Sequence, residues 1–396
     1  MPRRGHKGPI SRGRHAPRLW PVWVVGLLAL LVTLAVGSGI YEFLHGLASK
    51  EASPENPVAA HEVVRTVLAT LTFAGAVLAG VYAYRKQRLA ESDAHRADEQ
   101  LLAERFTTAA EQLGHDQAAV RLAGVYAMAR LADDWIEQRQ VCVDVLCAYL
   151  RMPYEPNPEA ASTASEGESL SSTPAAYKEG EREVRLTIIR TIRSHLQPEA
   201  PTSWSACNFD FTRATFDGGY LQGSLFQGTV SFGGAEFSGR SFYFGGADFS
   251  AGRVYFGGAN FSGGRVDFRG AKFSGASVDF TGAKFSRGSV YFGGAKFSAG
   301  SVDFTGAKFS GGTVTFIDAE FSGGTVTFVG AKFSRGSVDF SGAKFSAGSV
   351  DFSRAKFSGS PVTFIDAVYS GGTVDFEDVT GAPQNWGPFR PTDAGR

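Results

Sequence analysis

A twelve-residue unit repeats through most of the C-terminal half of the chain. Residues 271–282 read AKFSGASVDFTG, residues 283–294 read AKFSRGSVYFGG, and alanine recurs at every twelfth position from 235 to 367. A short fixed period is typical of architectures in which each unit packs against copies of itself. The repeat therefore argues against an irregular globular core for this half of the chain.

Apolar residues alternate with polar ones inside each unit, as Val-x-Phe and then Ala-x-Phe. Successive side chains of a strand point to opposite sides, so each motif predicts a short strand, and the glycines between motifs predict corners. The pattern predicts a β-solenoid whose coils stack at ~4.8 Å around an apolar interior. The predicted inward ladder includes Phe237, Phe249, Phe261, Ala271, Phe273, Val278, Phe280, Phe285, Phe297, Phe304 and Phe309.

The repeats resemble those of a known family. Large apolar residues fall five positions apart between Phe211 and Phe226, and the later segments GADFS, GANFS and GAKFS match the motif A-(D/N)-(L/F)-(S/T)-x. Residues 206–376 thus resemble pentapeptide-repeat proteins. The resemblance implies a right-handed quadrilateral β-helix.

The repeat departs from the family pattern by two extra residues in every second unit, as in FSRGSV. Two closures are open, a coil of twelve residues or a coil of twenty-four. A coil of twelve forces two phenylalanines, a valine and an alanine into each layer, which close-packed walls accommodate poorly. We favour a coil of twenty-four with four faces and two enlarged corners.

Charged residues occupy the outward positions of the repeat. Lysines stand in the middle of Ala-x-Phe and aspartates in the middle of Val-x-Phe, and the columns include Lys272, Lys284, Lys296, Lys308, Asp267, Asp279 and Asp303. Neighbouring columns of opposite charge offset the repulsion within each column, and an exposed pair contributes at most ~1 kcal/mol. A solvated surface is the simplest interpretation of both columns.

Two uncharged runs precede the repeats, residues 19–41 and 66–84, and each is long enough to cross a bilayer. Basic residues concentrate before the first run and after the second, which predicts that both chain ends are cytoplasmic. We therefore expect a protein of the cell membrane, held in the lipid bilayer by a two-helix hairpin over residues 19–84. A cleaved signal peptide is the alternative for the first run.

The remaining boundaries follow from composition and periodicity. Residues 1–18 are a basic cytoplasmic tail, 85–152 a cytoplasmic α-helical region, 153–180 a disordered linker, 181–204 a capping helix, 205–380 the solenoid and 381–396 a C-terminal tail. Within the helical region, RFTTAAEQLGHDQAAVRLAGVYAMARLADDW resembles the block that precedes the repeats in membrane-linked pentapeptide-repeat proteins of actinobacteria. That resemblance does not imply a ligand.

No catalytic residue, cofactor site or metal ligand is predicted. The repeats lack histidine, a G-x-S-x-G motif and a P-loop, and the three cysteines lack metal or disulfide spacing. The expected function is a non-catalytic scaffold or protein-interaction module, with a protein partner that the sequence does not identify and with self-association as a further expectation.

Two other binding functions are disfavoured. Some pentapeptide-repeat proteins mimic duplex DNA and bind type II topoisomerases, but residues 205–380 carry 15 basic and 15 acidic side chains, whereas mimicry needs an acidic rod. Nucleic acid is not an expected partner either. An ice-binding array requires long Thr-x-Thr ranks, and TVT occurs only at 313–315 and 325–327.

Overall fold

The computed structural model describes residues 31–32, 34–43, 45–46, 60–155 and 179–389, except 251, 275, 276, 347 and 372. The predicted basic tail, residues 19–30 of the first predicted span and most of the predicted linker lie outside the described residues. The chain divides into two compact units, Met1–Glu99 and Gln100–Arg396.

One described helix is long and apolar enough to cross a membrane. It lies in α1 (Ala60–Leu113), which contains the second predicted span, and its apolar side chains Leu68, Phe73 and Val81 are exposed. Residues 34–43 are also helical. The predicted two-helix hairpin is not shown, because the described residues contain only one helix of this kind.

Three further helices form a block in the second unit: α2 (Ala118–Asp134), α3 (Arg139–Arg151) and α4 (Glu181–His195). A 3-10 turn, Ile136–Gln138, joins α2 to α3. Their apolar sides pack together, with Val125, Leu146 and Ile188 fully buried. Helix α3 ends just before Pro153, whose ring is incompatible with a further helical turn.

Residues 209–375 form a parallel β-solenoid of about seven turns, of right-handed type. Along most of it, each strand pairs with the strand twenty-four residues further on, as in Val254 with Val278 and Val278 with Val302. The first coil is shorter, since Phe209 pairs with Val230. The coil of twenty-four residues, favoured from packing, is confirmed by this register.

Each coil contributes one strand to each of four faces. Face 1 contains β1 (Phe209–Asp210), β5 (Val230–Ser231), β9 (Val254–Tyr255), β13 (Val278–Asp279), β17 (Ser301–Asp303), β20 (Thr325–Thr327), β23 (Ser349–Asp351) and β27 (Thr373–Asp375). Face 2 contains β2 (Thr215–Phe216), β6 (Glu236–Phe237), β10 (Asn260–Phe261), β14 (Lys284–Phe285), the start of β18 (Lys308–Thr315), the start of β21 (Lys332–Asp339) and β24 (Lys356–Phe357).

The other two faces complete each coil. Face 3 contains β3 (Gly219–Tyr220), β7 (Phe242–Tyr243), β11 (Arg265–Asp267), β15 (Ser289–Tyr291), the ends of β18 and β21, and β25 (Val362–Thr363). Face 4 contains β4 (Leu225–Phe226), β8 (Asp248–Phe249), β12 (Lys272–Ser274), β16 (Lys296–Ala299), β19 (Glu320–Phe321), β22 (Lys344–Phe345) and β26 (Val368–Tyr369).

Two kinds of corner join the faces. At a tight corner such as Phe280 to Ala283, the Ala283 amide donates to the Phe280 carbonyl at 2.9 Å, and Gly282 has φ +65°, as a type II turn requires. The enlarged corners contain the two extra residues of the repeat. There a Cβ on Gly324 would collide with the carbonyl oxygen of Gly300, so only glycine fits.

Phenylalanine fills the interior. Along one face, rings on successive coils stack in parallel, as Phe280 does on Phe304 at 4.8 Å and 4°. Rings from faces 1 and 3 meet edge to face across the interior, as Phe256 and Phe268 do at 5.5 Å and 90°. Aromatic rings prefer offset-stacked and edge-to-face contacts over a perfect sandwich, and the two kinds of contact together make the core continuous.

Both ends of the solenoid are covered. The helical block covers the first coil, where the Leu225 amide donates to the Leu196 carbonyl at 2.8 Å and Arg182 pairs with Asp217 at 3.1 Å. At the other end a 3-10 turn, Gly387–Phe389, places the Phe389 ring against Phe364 at 5.4 Å. Part of the segment expected as a C-terminal tail therefore packs as a cap.

Candidate functional site

The predicted inward residues lie in the interior of the solenoid. Each has an exposed fraction of only a few per cent, because the coils above and below cover it and the opposite wall closes the layer. These residues are Phe237, Phe249, Phe261, Ala271, Phe273, Val278, Phe280, Phe285, Phe297, Phe304 and Phe309. They form a structural core and leave the outward columns as the candidate functional surface.

The lysines predicted as one set divide between two faces, because neighbouring repeats are half a coil apart. Lys272 and Lys296 pair with each other on face 4. Lys284 and Lys308 pair with each other on face 2. The lysines of face 4 have carboxylates within ion-pair distance, whereas among the described residues those of face 2 have none.

Face 4 interleaves lysines with carboxylates. Glu320 lies between Lys296 and Lys344 and pairs with both, at 3.5 and 3.4 Å, and Lys272 lies 3.9 Å from Asp248. The charge of Lys296, followed by the hydrogen bond from Lys344, lowers the pKa of the Glu320 carboxyl. The charges of face 4 are therefore compensated along the column itself.

Face 2 has an uninterrupted lysine column. Lys284, Lys308, Lys332 and Lys356 stand in register on four successive coils. All four are exposed, and among the described residues none of them has a carboxylate within ion-pair distance. A line of like charges on neighbouring strands is unfavourable in the isolated protein.

The aspartates of face 1 act on the backbone. The Asp279 carboxylate accepts a hydrogen bond from the Thr281 amide at 2.7 Å, and Asp303 accepts one from the Thr305 amide at 2.8 Å. Each is an Asx turn, in which the side chain holds the start of a tight corner. The sequence indicated an aspartate column but not this role.

Asp267 departs from the expected exposed column. It lies on face 3, but its side chain is 3% exposed, because Arg265 and Arg269 cover it at 3.0 and 2.7 Å. Burial raises the pKa of this carboxyl, yet the hydrogen bonds and charges of the arginines outweigh burial and lower it. Arg265 also stacks on the Tyr291 ring at 4.5 Å.

A buried polar cluster in the helical block escaped the sequence analysis. Arg121, fully buried, lies 3.4 Å from Glu181, which also accepts a hydrogen bond from the Tyr149 hydroxyl at 2.8 Å. Arg185 donates to the carbonyls of Leu150 and Thr215, and so links the block to the first coil. The sequence contained one sign of this cluster, because Arg121 lies on the same helical face as Val125 and Met128.

A serine, a histidine and an aspartate lie close together in the helical block, and no metal centre is found among the described residues. In the described part of the chain no three His, Cys, Asp or Glu side chains are grouped to hold a metal ion. His195 Nε2 lies 3.1 Å from Asp133, and the Ser194 hydroxyl lies 3.3 Å from His195 Nδ1 and donates to the Thr191 carbonyl at 2.8 Å. Asp133 also accepts from the Trp204 indole at 2.8 Å, so these residues hold the block to the chain that enters the solenoid.

The fold and surface define a class, a parallel four-faced β-solenoid with stacked phenylalanine ladders and charged outward columns. Comparison with family models, with curated proteins and with solved structures gives no match to this chain.

Proposed function

We propose that this protein is a non-catalytic scaffold of the pentapeptide-repeat type, which presents a rigid solenoid to a protein partner. One observation carries the proposal: every described face holds its outward side chains on strands in fixed register, above stacked rings spaced about 4.8 Å apart. A preorganised surface loses little conformational entropy on binding, which favours recognition.

Face 3 is the surface best suited to a protein partner. Its first two coils carry Tyr220 and Tyr243, whose rings stack at 5.0 Å, and Tyr220 remains 52% exposed. Tyrosine combines a large apolar ring with a polar tip and is enriched at the centres of protein interfaces. We assign the partner to this face.

Membrane attachment is part of the same proposal. The hairpin over residues 19–84 holds the chain in the cell membrane, with both termini in the cytoplasm. The distribution of basic residues and the apolar stretch within the helical segment Val67–Leu113 support it. The scaffold then recruits its partner to the membrane surface.

Site-specific photo-crosslinking in the full chain tests the scaffold. A photoreactive phenylalanine analogue replaces Tyr243 on face 3 and, as the matched control, Lys296 on face 4. The proposal predicts a discrete crosslinked protein from position 243 and not from position 296. Failure to obtain a discrete product from position 243 contradicts it.

The DNA-mimic alternative predicts an acidic column on a long face. Face 2 presents lysines instead, which opposes duplex mimicry. Recovery of a type II topoisomerase as the crosslinked protein would favour the alternative over the scaffold.

A further inference from the structure

The cationic strip is the set of seven side chains on face 2 and its two flanking corners. Lys284, Lys308, Lys332 and Lys356 form its centre, and the rings beneath them are 4.8 to 5.0 Å apart. Arg287, Arg335 and Arg354 stand exposed in the corners. No acidic residue occurs among the outward positions of this face from Asn260 to Lys356.

Among the described residues, no carboxylate lies within ion-pair distance of the four lysines of the strip. The closest acidic column in sequence is that of face 1, and Asp279 and Asp303 hold backbone amides of the intervening corners. The contrast with face 4 is informative, since a single glutamate in that column pairs with two lysines. The strip therefore has a local excess of positive charge within a solenoid of zero net charge.

The chemistry of the strip favours a diffuse anionic surface. Its outward positions from Asn260 to Lys356 carry no aromatic ring on which a nucleobase could stack. They carry no apolar anchor of the kind that dominates protein interfaces either. Lysine and arginine alone are sufficient for attraction to anionic lipid head groups.

The same chain contains a helix that is long and apolar enough to cross a membrane. A tethered domain experiences a high effective concentration of the surface to which it is tethered, so individually weak contacts suffice. We propose that the cationic strip is a docking site for anionic phospholipid head groups and lays face 2 of the solenoid on the bilayer.

The native lysines of the two faces supply a test with an internal control. The full chain is placed in nanodiscs of phosphatidylcholine alone, or of phosphatidylcholine with phosphatidylglycerol, and is treated with a water-soluble amine-acetylating reagent. Mass spectrometry then gives the acetylation rate of Lys284, Lys308, Lys332 and Lys356, with Lys272, Lys296 and Lys344 of face 4 as controls.

Anionic discs are expected to slow acetylation of the face 2 lysines by about fivefold, while the face 4 lysines react equally in both discs. High salt is expected to abolish the difference, because it screens exposed charges. Lys308→Gln with Lys332→Gln is expected to restore the rates at Lys284 and Lys356, whereas Lys296→Gln with Lys344→Gln is not.

Equal rates at face 2 in the two lipid compositions overturn the proposal. Equal slowing on both faces also overturns it, because it indicates general adsorption. A further measurement adds duplex DNA to the neutral discs. If DNA protects the face 2 lysines from acetylation more strongly than anionic lipid does, the strip is assigned to nucleic acid instead. The scaffold is tested at position 243 on another face, so either proposal can fail alone.

Discussion

Phe280 and Phe292 are twelve residues apart, and their rings meet edge to face at 5.7 Å with an angle of 89° between their planes. Phe280 and Phe304 are twenty-four residues apart, and their rings stack at 4.8 Å and 4°. The two geometries show that neighbouring repeats face each other across the interior, whereas every second repeat lies directly above. Each outward column is therefore made of residues twenty-four apart.

Removing an inward ring should destabilise the solenoid far more than removing an outward charge. Phe304 is fully buried and touches rings above, below and across. Phe304→Ala should lower the free energy of unfolding by about 3–5 kcal/mol through lost contacts and a cavity. Lys308→Ala, at an exposed position, should change it by less than about 0.5 kcal/mol. Equal shifts in urea unfolding would contradict the inward and outward assignments.

The two kinds of corner should respond differently to alanine. Gly306 has φ +65° and open space where a Cβ would lie, so Gly306→Ala should cost about 1–2 kcal/mol from the backbone alone. Asp318 and Arg354 already occupy equivalent tight corners. Gly324→Ala adds a collision with the neighbouring carbonyl and should cost more. Thermal unfolding of the two variants measures the difference, and a larger loss at Gly306 would contradict the corner geometry.

Asp267 should make the solenoid sensitive to acid. Its pKa is lowered in the fold, so its stabilisation is complete above the ordinary value of 3.8 and is lost as the pH falls through the folded value. Asp267→Asn should cost about 1–3 kcal/mol at neutral pH, because two arginines lose their partner. The stability of the variant should also fall less than that of the wild-type protein as the pH is lowered. Asp303→Asn, which keeps an acceptor for Thr305, is the control, and an equal loss there would contradict the assigned role.

Membrane orientation gives a further prediction. A cytoplasm-specific reporter fused after Arg396 should be active, and one inserted in the loop between the predicted spans should be inactive, because basic residues flank the hairpin on the inner side. Activity at the loop and not at the C terminus would contradict the proposed orientation.

The sequence predicted the solenoid because its period and its alternation are local properties. Val-x-Phe and Ala-x-Phe specify which side chains point inward, and ring packing selected the coil of twenty-four. The surface was less predictable, because the division of the lysines between two faces depends on coil closure. Glu320, which replaces lysine in Ala-x-Phe, is visible in the sequence, but its two partners are twenty-four residues away in either direction.

Contacts between distant segments were not predictable from the repeat. Arg121 pairs with Glu181 across the predicted linker, and Phe389 folds back on Phe364. Such pairings depend on tertiary packing, which no local period encodes. The Asx turn of Asp303 was also missed, because an outward position in a strand pattern does not reveal a bond to the next corner.

Cysteine cross-linking tests the central claim, that each face is a column of residues twenty-four apart. Lys284→Cys with Lys308→Cys places two thiols on neighbouring coils, where Cα atoms ~4.8 Å apart fall within disulfide range. Lys284→Cys with Lys296→Cys places them on faces 2 and 4. Cys207→Ser removes the half-buried native thiol, and Cys142 is buried, which raises its pKa to about 11 and keeps it protonated. The account predicts rapid intramolecular oxidation of the 284–308 pair alone, and oxidation of the 284–296 pair instead would contradict it.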